Sequence, residues 1–219
     1  MHRHFDDEIS HLMELLLRMG AEAEDAVASS IRAFEERDVA LAEAVIARDD
    51  EVDRHELEID QYAMELIAKM QPAASDLRMV VTAMRVTPEL ERIADLAQDV
   101  CERAIELNRE APLKPLVVIP RLASIAQDMV RQAIDAFVRQ DADLAREVIK
   151  RDDYVDDLNE HSFRELLTYM LEDSRNISRA IRLTFVGKYF ERIADSATNI
   201  AEMVVYLVDG RIVKHQKAQ

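Results

Sequence analysis

The stretch Glu91-Arg92-Ile93-Ala94-Asp95 occurs again, letter for letter, as Glu191-Arg192-Ile193-Ala194-Asp195, one hundred residues further on. The echo reaches beyond these five residues. With a shift of 103, residues 25–53 fall on 128–156: Val27, Ile31, Ala33 and Phe34 meet Val130, Ile134, Ala136 and Phe137. Arg48-Asp49-Asp50 meets Arg151-Asp152-Asp153 in the same register. The change of shift from 103 to 100 places a three-residue deletion between Asp156 and Glu191, most naturally before the last helix. The first copy there reads Gln71-Pro72-Ala73-Ala74-Ser75, and the second is terser. A chain written twice is a pair of like structural units.

Each copy reads as three helices. In the first they run from about Phe5 to Glu36, Asp38 to Met70 and Ser75 to Arg109; in the second, from about Pro120 to Gln140, Asp141 to Leu171 and Ser174 to Asp209. Asp38 and Asp141 are good N-cap residues, and Ser75 or Asp76 can cap the third helix. Three of the five prolines fall in Asn108–Pro120, which reads as the linker between copies. Gly210 is a helix stop, and Arg211–Gln219 reads as a frayed tail. Connections this short make consecutive helices antiparallel. The expected fold is all-α: a tandem repeat of two three-helix bundles, six long helices related by a pseudo-twofold, with the first bundle in 1–111 and the second in 112–219.

Composition agrees. The 219 residues include 3 glycines, far below the usual share of roughly 7%. Sheets with tight hairpins and phosphate-cradling loops both need glycine at positive φ, which argues against a Rossmann or P-loop nucleotide enzyme and against a β-sandwich. A net charge of −16 repels nucleic acid, and no clustered basic face offsets it. Apolar residues make up 49%, enough for a sizeable core. A single cysteine, Cys101, suits a reducing compartment. The polar start Met1–Asp7 lacks a signal-peptide apolar region, and the longest apolar runs, such as Met203–Val208, are too short to span a membrane. These features predict a cytoplasmic protein without direct membrane insertion.

The third helix of each copy carries two patterns. Ile93, Ala97, Val100, Ala104 and Leu107 share one face, as do Ile193, Ala197, Ile200, Val204 and Leu207; these stripes should be buried. Glu91, Asp95, Asp99 and Glu102 stack on another face, echoed by Glu191, Asp195, Asn199 and Glu202. The second helices add Asp49, Asp53 and Glu56, and Asp152, Asp156 and Asn159 or Glu160. Like charges four apart destabilise a helix by about 0.2–0.5 kcal/mol per pair, so a merely solvated face would alternate signs. Two such rows facing each other make a hard-cation site for Mg²⁺, Mn²⁺, Ca²⁺ or iron; without a nearby His or Cys, zinc is less favoured.

Taken together these motifs resemble the PhoU family of phosphate-signalling proteins. The doubled Glu-Arg-Ile-Ala-Asp is similar to its doubled ERIGD signature, Phe5-Asp6-Asp7-Glu8 to its opening, Gln71–Arg78 to its QPxAxDLR segment, and Asn199–Glu202 with Tyr206-Leu207-Val208 to its closing stretch. The resemblance covers nearly the whole chain. It implies two similar three-helix bundles with multinuclear metal clusters (iron or zinc, or magnesium or manganese) on E(D)xxxD motifs. It implies a negative regulator of the phosphate-starvation response, an adaptor between the phosphate ABC transporter ATPase and a sensor histidine kinase, often a homodimer. Carried onto this chain, the first cluster uses Asp49, Asp53, Glu91 and Asp95, with Glu56 and Asp99 in support. The second uses Asp152, Asp156, Glu191 and Asp195, with Glu160 and Asn199. Arg92 and Arg192 are expected to orient the neighbouring carboxylates by charge-assisted hydrogen bonds.

The departures are specific. Ala94 and Ala194 stand where the family usually has Gly, which should leave the acidic face intact. Ser196-Ala197-Thr198-Asn199-Ile200 replaces a common HARNI, so the second site loses a possible nitrogen ligand. Asp99 against Asn199 makes the first cluster the more anionic and predicts its fuller loading. The expected role is regulatory: no nucleophile–base pair or glycine-rich phosphate loop is present. The rivals are a carboxylate-bridged metal hydrolase and a metal-free helical scaffold. Glu8 with His11, and His55 and His161, which do not align with each other, carry no expected role, and Cys101 reads as a small core residue.

Overall fold

A computed structural model describes residues 2–113 and 117–210, with the side chains of residues 2–6, Asp49 and Asp50 outside the described set. The elements are α1 (His2–Glu36), α2 (Val39–Ile46), α3 (Asp49–Met70), α4 (Ala74–Leu107), α5 (Val118–Arg139), α6 (Ala142–Ile149), α7 (Asp152–Glu172) and α8 (Ile177–Asp209), with a 3₁₀ turn at Ser174–Asn176. No strand occurs among the described residues. The all-α tandem of three-helix units is therefore observed, with one difference: each middle helix is broken in two.

The breaks fall at the repeated Arg-Asp-Asp. Arg48 takes φ −95° and ψ 0°, and its N–H reaches back to Val45 O at 3.1 Å. Arg151 does the same to Val148 O at 3.0 Å. The break leaves arginine at the C-terminal end of one helix and opens a fresh N-terminus at Asp49-Asp50 or Asp152-Asp153. Both placements match the helix dipole, which a continuous helix would not allow.

The expected caps hold at two positions. Asp38 accepts from Leu41 N at 3.0 Å, and Asp141 from Asp143 N and Leu144 N at 3.0 Å each. The third helix differs: α4 begins at Ala74 behind an extended Ala73, with no side-chain cap. Ser75 instead donates to Asp76 at 3.2 Å, and Asp76 meets the dipole from within the first turn. Before α8, Asp173 caps the 3₁₀ turn by accepting from Arg175 N, so the α-helix starts three residues later than the sequence suggested. Pro120 lies in the first turn of α5, where its missing N–H has no intrahelical partner to lose. Gly210 ends α8 at φ +67°, and the expected tail 211–219 is outside the described residues.

Both apolar stripes are buried, from Ile93 and Ala97 (0% exposed) to Leu107 (8%). They do not form two separate cores. Side chains from Leu12 to Leu207 make one continuous cluster, because α4 lies against α8 and α1 against α5. The pairing of Asn199 with Glu89 and of Arg182 with Glu106 shows that α4 and α8 run antiparallel. No described helix is long and apolar enough to cross a membrane.

Candidate metal centres

In the first half, α3 and α4 lie side by side and bring Asp53 and Glu56 to Glu91 and Asp95. Glu91 is half-buried, and its carboxyl is pushed up to about 7. Burial is the largest cause, followed by the charge of Asp95 and a hydrogen bond with it, then Glu56 and Asp53. Glu56 is also raised, by burial and then by Asp60, Asp53 and Asp95. The charges that raise these two groups are those of neighbouring carboxylates. The Asp49 side chain, expected to complete the set, lies outside the described residues.

The second half repeats the arrangement on α7 and α8 with Asp152, Asp156, Glu191 and Asp195. Asp156 rises to about 6, from burial first, then the charge of Glu191 and a hydrogen bond with it, then Asp152 and Asp195. Asp195 rises through burial, Asp152 and Glu191, while Lys188 and Arg92 oppose the shift. Three neutral or basic groups join this cluster. Lys188 Nζ lies 2.7 Å from Glu191 Oε2, the Asn159 amide donates to the same oxygen, and Thr198 donates to Asp152 at 3.1 Å. Gly187 makes the Asn159 contact possible: a Cβ there would sit 2.8 Å from Asn159 Oδ1.

The remaining expected ligands stand apart. Asp99 lies two turns beyond Glu91, a rotation of about 80°. It is raised by burial and Glu102 and opposed by Arg103 and Arg192, which places it at the α4–α8 seam. Asn199 donates to Glu89 at 3.1 Å across the same seam. Glu160 pairs with Arg164 on the outer face of α7. Asn159, the register partner of Glu56 at shift 103, takes the position in the cluster. The arginines also differ from expectation. Arg92 acts on Asp195 and Arg192 on Asp99, so each reaches into the opposite half.

Lys188 is invisible to the repeat, because its counterpart at shift 100 is Pro88, inside α4. Among the described histidines, His55 hydrogen-bonds Glu22 at 2.7 Å, and His161 lies on the exposed side of α7. His11 is 3.8 Å from Glu14, and Glu8 hydrogen-bonds Tyr62 on α3. Cys101 is fully buried, and burial pushes its thiol to about 12.

Both clusters offer hard oxygen donors held against their own repulsion, which is the donor chemistry of a Mg²⁺, Mn²⁺ or iron site. Among the described residues no three His, Cys, Asp or Glu side chains close up tightly enough to grip one ion. The carboxyl–carboxyl contacts and Lys188 take up oxygens that a cation would otherwise claim.

Comparison with known proteins agrees with this architecture. A family model described as the PhoU domain matches twice, at residues 16–104 and 119–204. A relative from Aquifex aeolicus, named a phosphate-specific transport system accessory protein PhoU homolog, is 43% identical over 209 residues, covering 95% of each chain. One of the same name from Pseudomonas aeruginosa is 41% identical, covering 96% of this chain and 88% of the other. The crystal structure of PhoU from Pseudomonas aeruginosa superposes with a TM-score of 0.91 over 94% of this chain and all of that one, at 41% identity. PhoU from Streptococcus pneumoniae, a phosphate transport system regulatory protein, shares the fold with a TM-score of 0.88 at 23% identity. On its sequence, its twofold repeat and its helical architecture, the chain belongs to the PhoU family.

Proposed function

We propose that this protein is a cytoplasmic, metal-binding regulator of phosphate uptake and the phosphate-starvation response. It acts as an adaptor between a phosphate ABC transporter ATPase and a sensor histidine kinase, and not as an enzyme. The observation that carries the reading is the pair of half-buried carboxylate clusters, one per half, each joining two neighbouring helices. Asp53, Glu56, Glu91 and Asp95 would hold cations in the first, and Asp152, Asp156, Glu191 and Asp195 in the second. A bound cation supplies positive charge that cancels carboxylate repulsion and ties α3 to α4, or α7 to α8. The relatives' names support the phosphate-transport setting. The relatives' names as accessory proteins support the non-enzymatic reading, and the hydroxyl in the described part of the second cluster, on Thr198, is tied to Asp152 at 3.1 Å.

Elemental analysis of protein purified without chelator, followed by pull-down with the transporter ATPase and the kinase, tests the proposal. The expected result is bound iron, manganese, magnesium or zinc, and specific retention of at least one partner. Metal-free protein after soaking with Fe²⁺ and Mn²⁺ would leave only a scaffold, and steady turnover of a phosphoester by the loaded protein would favour a hydrolase.

A further inference from the structure

We propose that the crease at the helix break of the first half binds a tyrosine side chain of a partner protein. This names a contact for the adaptor role proposed above and rests on that reading. Where α2 gives way to α3, a cavity of about 300 Å³ opens against α1 and α4. Ala26, Val45, Val52 and Ala94 form its apolar floor. The charged side chains of Arg18, Glu22, Asp25, Arg48 and Glu51 stand around it, all of them exposed except the half-buried Glu22. None of these residues belongs to the carboxylate clusters.

The second half shows what such a crease holds. The shift of 103 carries back along α1, so that Leu16, Met19 and Ala23 meet Ile119, Leu122 and Ala126, all six buried. In that register Glu22 answers to Ile125, Ala26 to Met129 and Glu51 to Tyr154. Met129 is fully buried, and Ile125 packs against the core. The Tyr154 ring reaches from α7 to α5, where the Arg121 guanidinium lies 5.5 Å from its centre. Arg121 is the counterpart of Arg18. The second crease thus carries its own ring under an arginine; the first keeps the arginine and lacks the ring.

Size and charge agree on the occupant. Pockets for whole small molecules run from about 300 to 1,000 Å³. This cavity stands at the lower limit, with room for one ring and its stem, the form of anchor that a partner protein inserts at an interface. Phosphate is disfavoured, because three acids face two arginines and Arg48 is already bound to Asp25 at 2.8 Å. A neutral ring escapes that repulsion, and Arg18 can cover its face as Arg121 covers Tyr154.

The test follows the backbone amide signals of Ala26, Val52 and Ala94 by NMR in the full chain as a capped Ser-Tyr-Ser peptide is added. Saturable shifts at these amides are expected, with roughly tenfold weaker binding of Ser-Leu-Ser and none of inorganic phosphate. Ala26→Met with Glu51→Tyr writes the second half's residues into the first. This filled variant should bind the tyrosine peptide roughly tenfold more weakly without a lower melting temperature. Arg18→Gln leaves the floor intact and should weaken binding about threefold, while Arg121→Gln should leave it unchanged. Equal binding of the two peptides, of the unaltered and filled proteins, or of the two arginine variants overturns the proposal. So does an aromatic small molecule released when the purified protein is denatured, which would mark a free ligand. A dimer that the filled variant turns into a monomer would mark a second copy as the occupant and overturn it too. If the transporter ATPase and the kinase bind the unaltered and filled proteins equally, the site falls and the adaptor role stands. If neither binds the unaltered chain while the peptide behaves as expected, the adaptor role falls and the ring site stands.

Discussion

The two carboxylate clusters occupy equivalent places and meet their own repulsion differently. In the first, Glu56 sits where the second has Asn159, and Pro88 where the second has Lys188. The first gathers carboxylates against carboxylates, and burial followed by that crowding raises Glu91 to about 7. The second brings an internal ammonium and an amide to Glu191, while its Asp156, starting from the lower value of an aspartate, rises to about 6, chiefly by burial. The second cluster thus carries part of its own counter-charge in Lys188. The sequence pointed to the same asymmetry through Asp99 and Asn199, but those residues lie at the seam, so its physical basis is Lys188 and Asn159.

The largest expected effect comes from removing both clusters at once. Asp95→Ala with Asp195→Ala should bring bound metal, measured by elemental analysis, close to zero while circular dichroism shows unchanged helicity. A double variant retaining full metal would remove both clusters from consideration. Next comes the difference between the sites. Calorimetric titration of metal-free protein with Mn²⁺ should resolve two classes about tenfold apart, a gap of about 1.4 kcal/mol. Lys188→Met should narrow that gap by tightening the weaker class; a wider gap would reverse the role given to Lys188.

A smaller effect concerns pH. Glu91 and Asp156 bind protons more readily folded than unfolded, so without metal their ionisation opposes folding. This penalty is present above about 7 for Glu91 and about 6 for Asp156, and it disappears as the pH falls to ordinary carboxylate values. The metal-free protein should melt a few degrees higher at pH 5 than at pH 8. Glu91→Gln should remove more of that difference than Asp156→Asn. Equal residual slopes in the two variants would erase the contrast between clusters. The smallest effect belongs to Glu160→Ala, whose carboxylate pairs with Arg164 on the surface. It should change metal content and melting temperature within error, since exposed ion pairs contribute about 0–1 kcal/mol.

Much of the fold was legible because duplication doubles every signal. The buried stripes, the Asp38 and Asp141 caps and the Gly210 stop follow from spacing and residue type alone. The helix breaks were written in Arg48-Asp49-Asp50 and Arg151-Asp152-Asp153, but hydrophobic period continues smoothly through them and hides them. The site was legible up to the face of one helix. A helical wheel gives the direction of Asp99 about its own axis, but not that α8 lies there in place of α3. For the same reason Arg92 looked like a neighbour of Glu91 when it acts across the seam on Asp195. Lys188 escaped because the matching position holds a proline.

The single core running through both halves has a historical consequence. With α4 against α8 and α1 against α5, the chain is arranged as a two-subunit assembly joined by a peptide tether. The tether keeps each half at high effective concentration beside the other. In an assembly of identical subunits, every substitution falls on both sites at once. On a single chain the two sites are free to differ, and here the second holds Asn159 and Lys188 where the first holds Glu56 and Pro88.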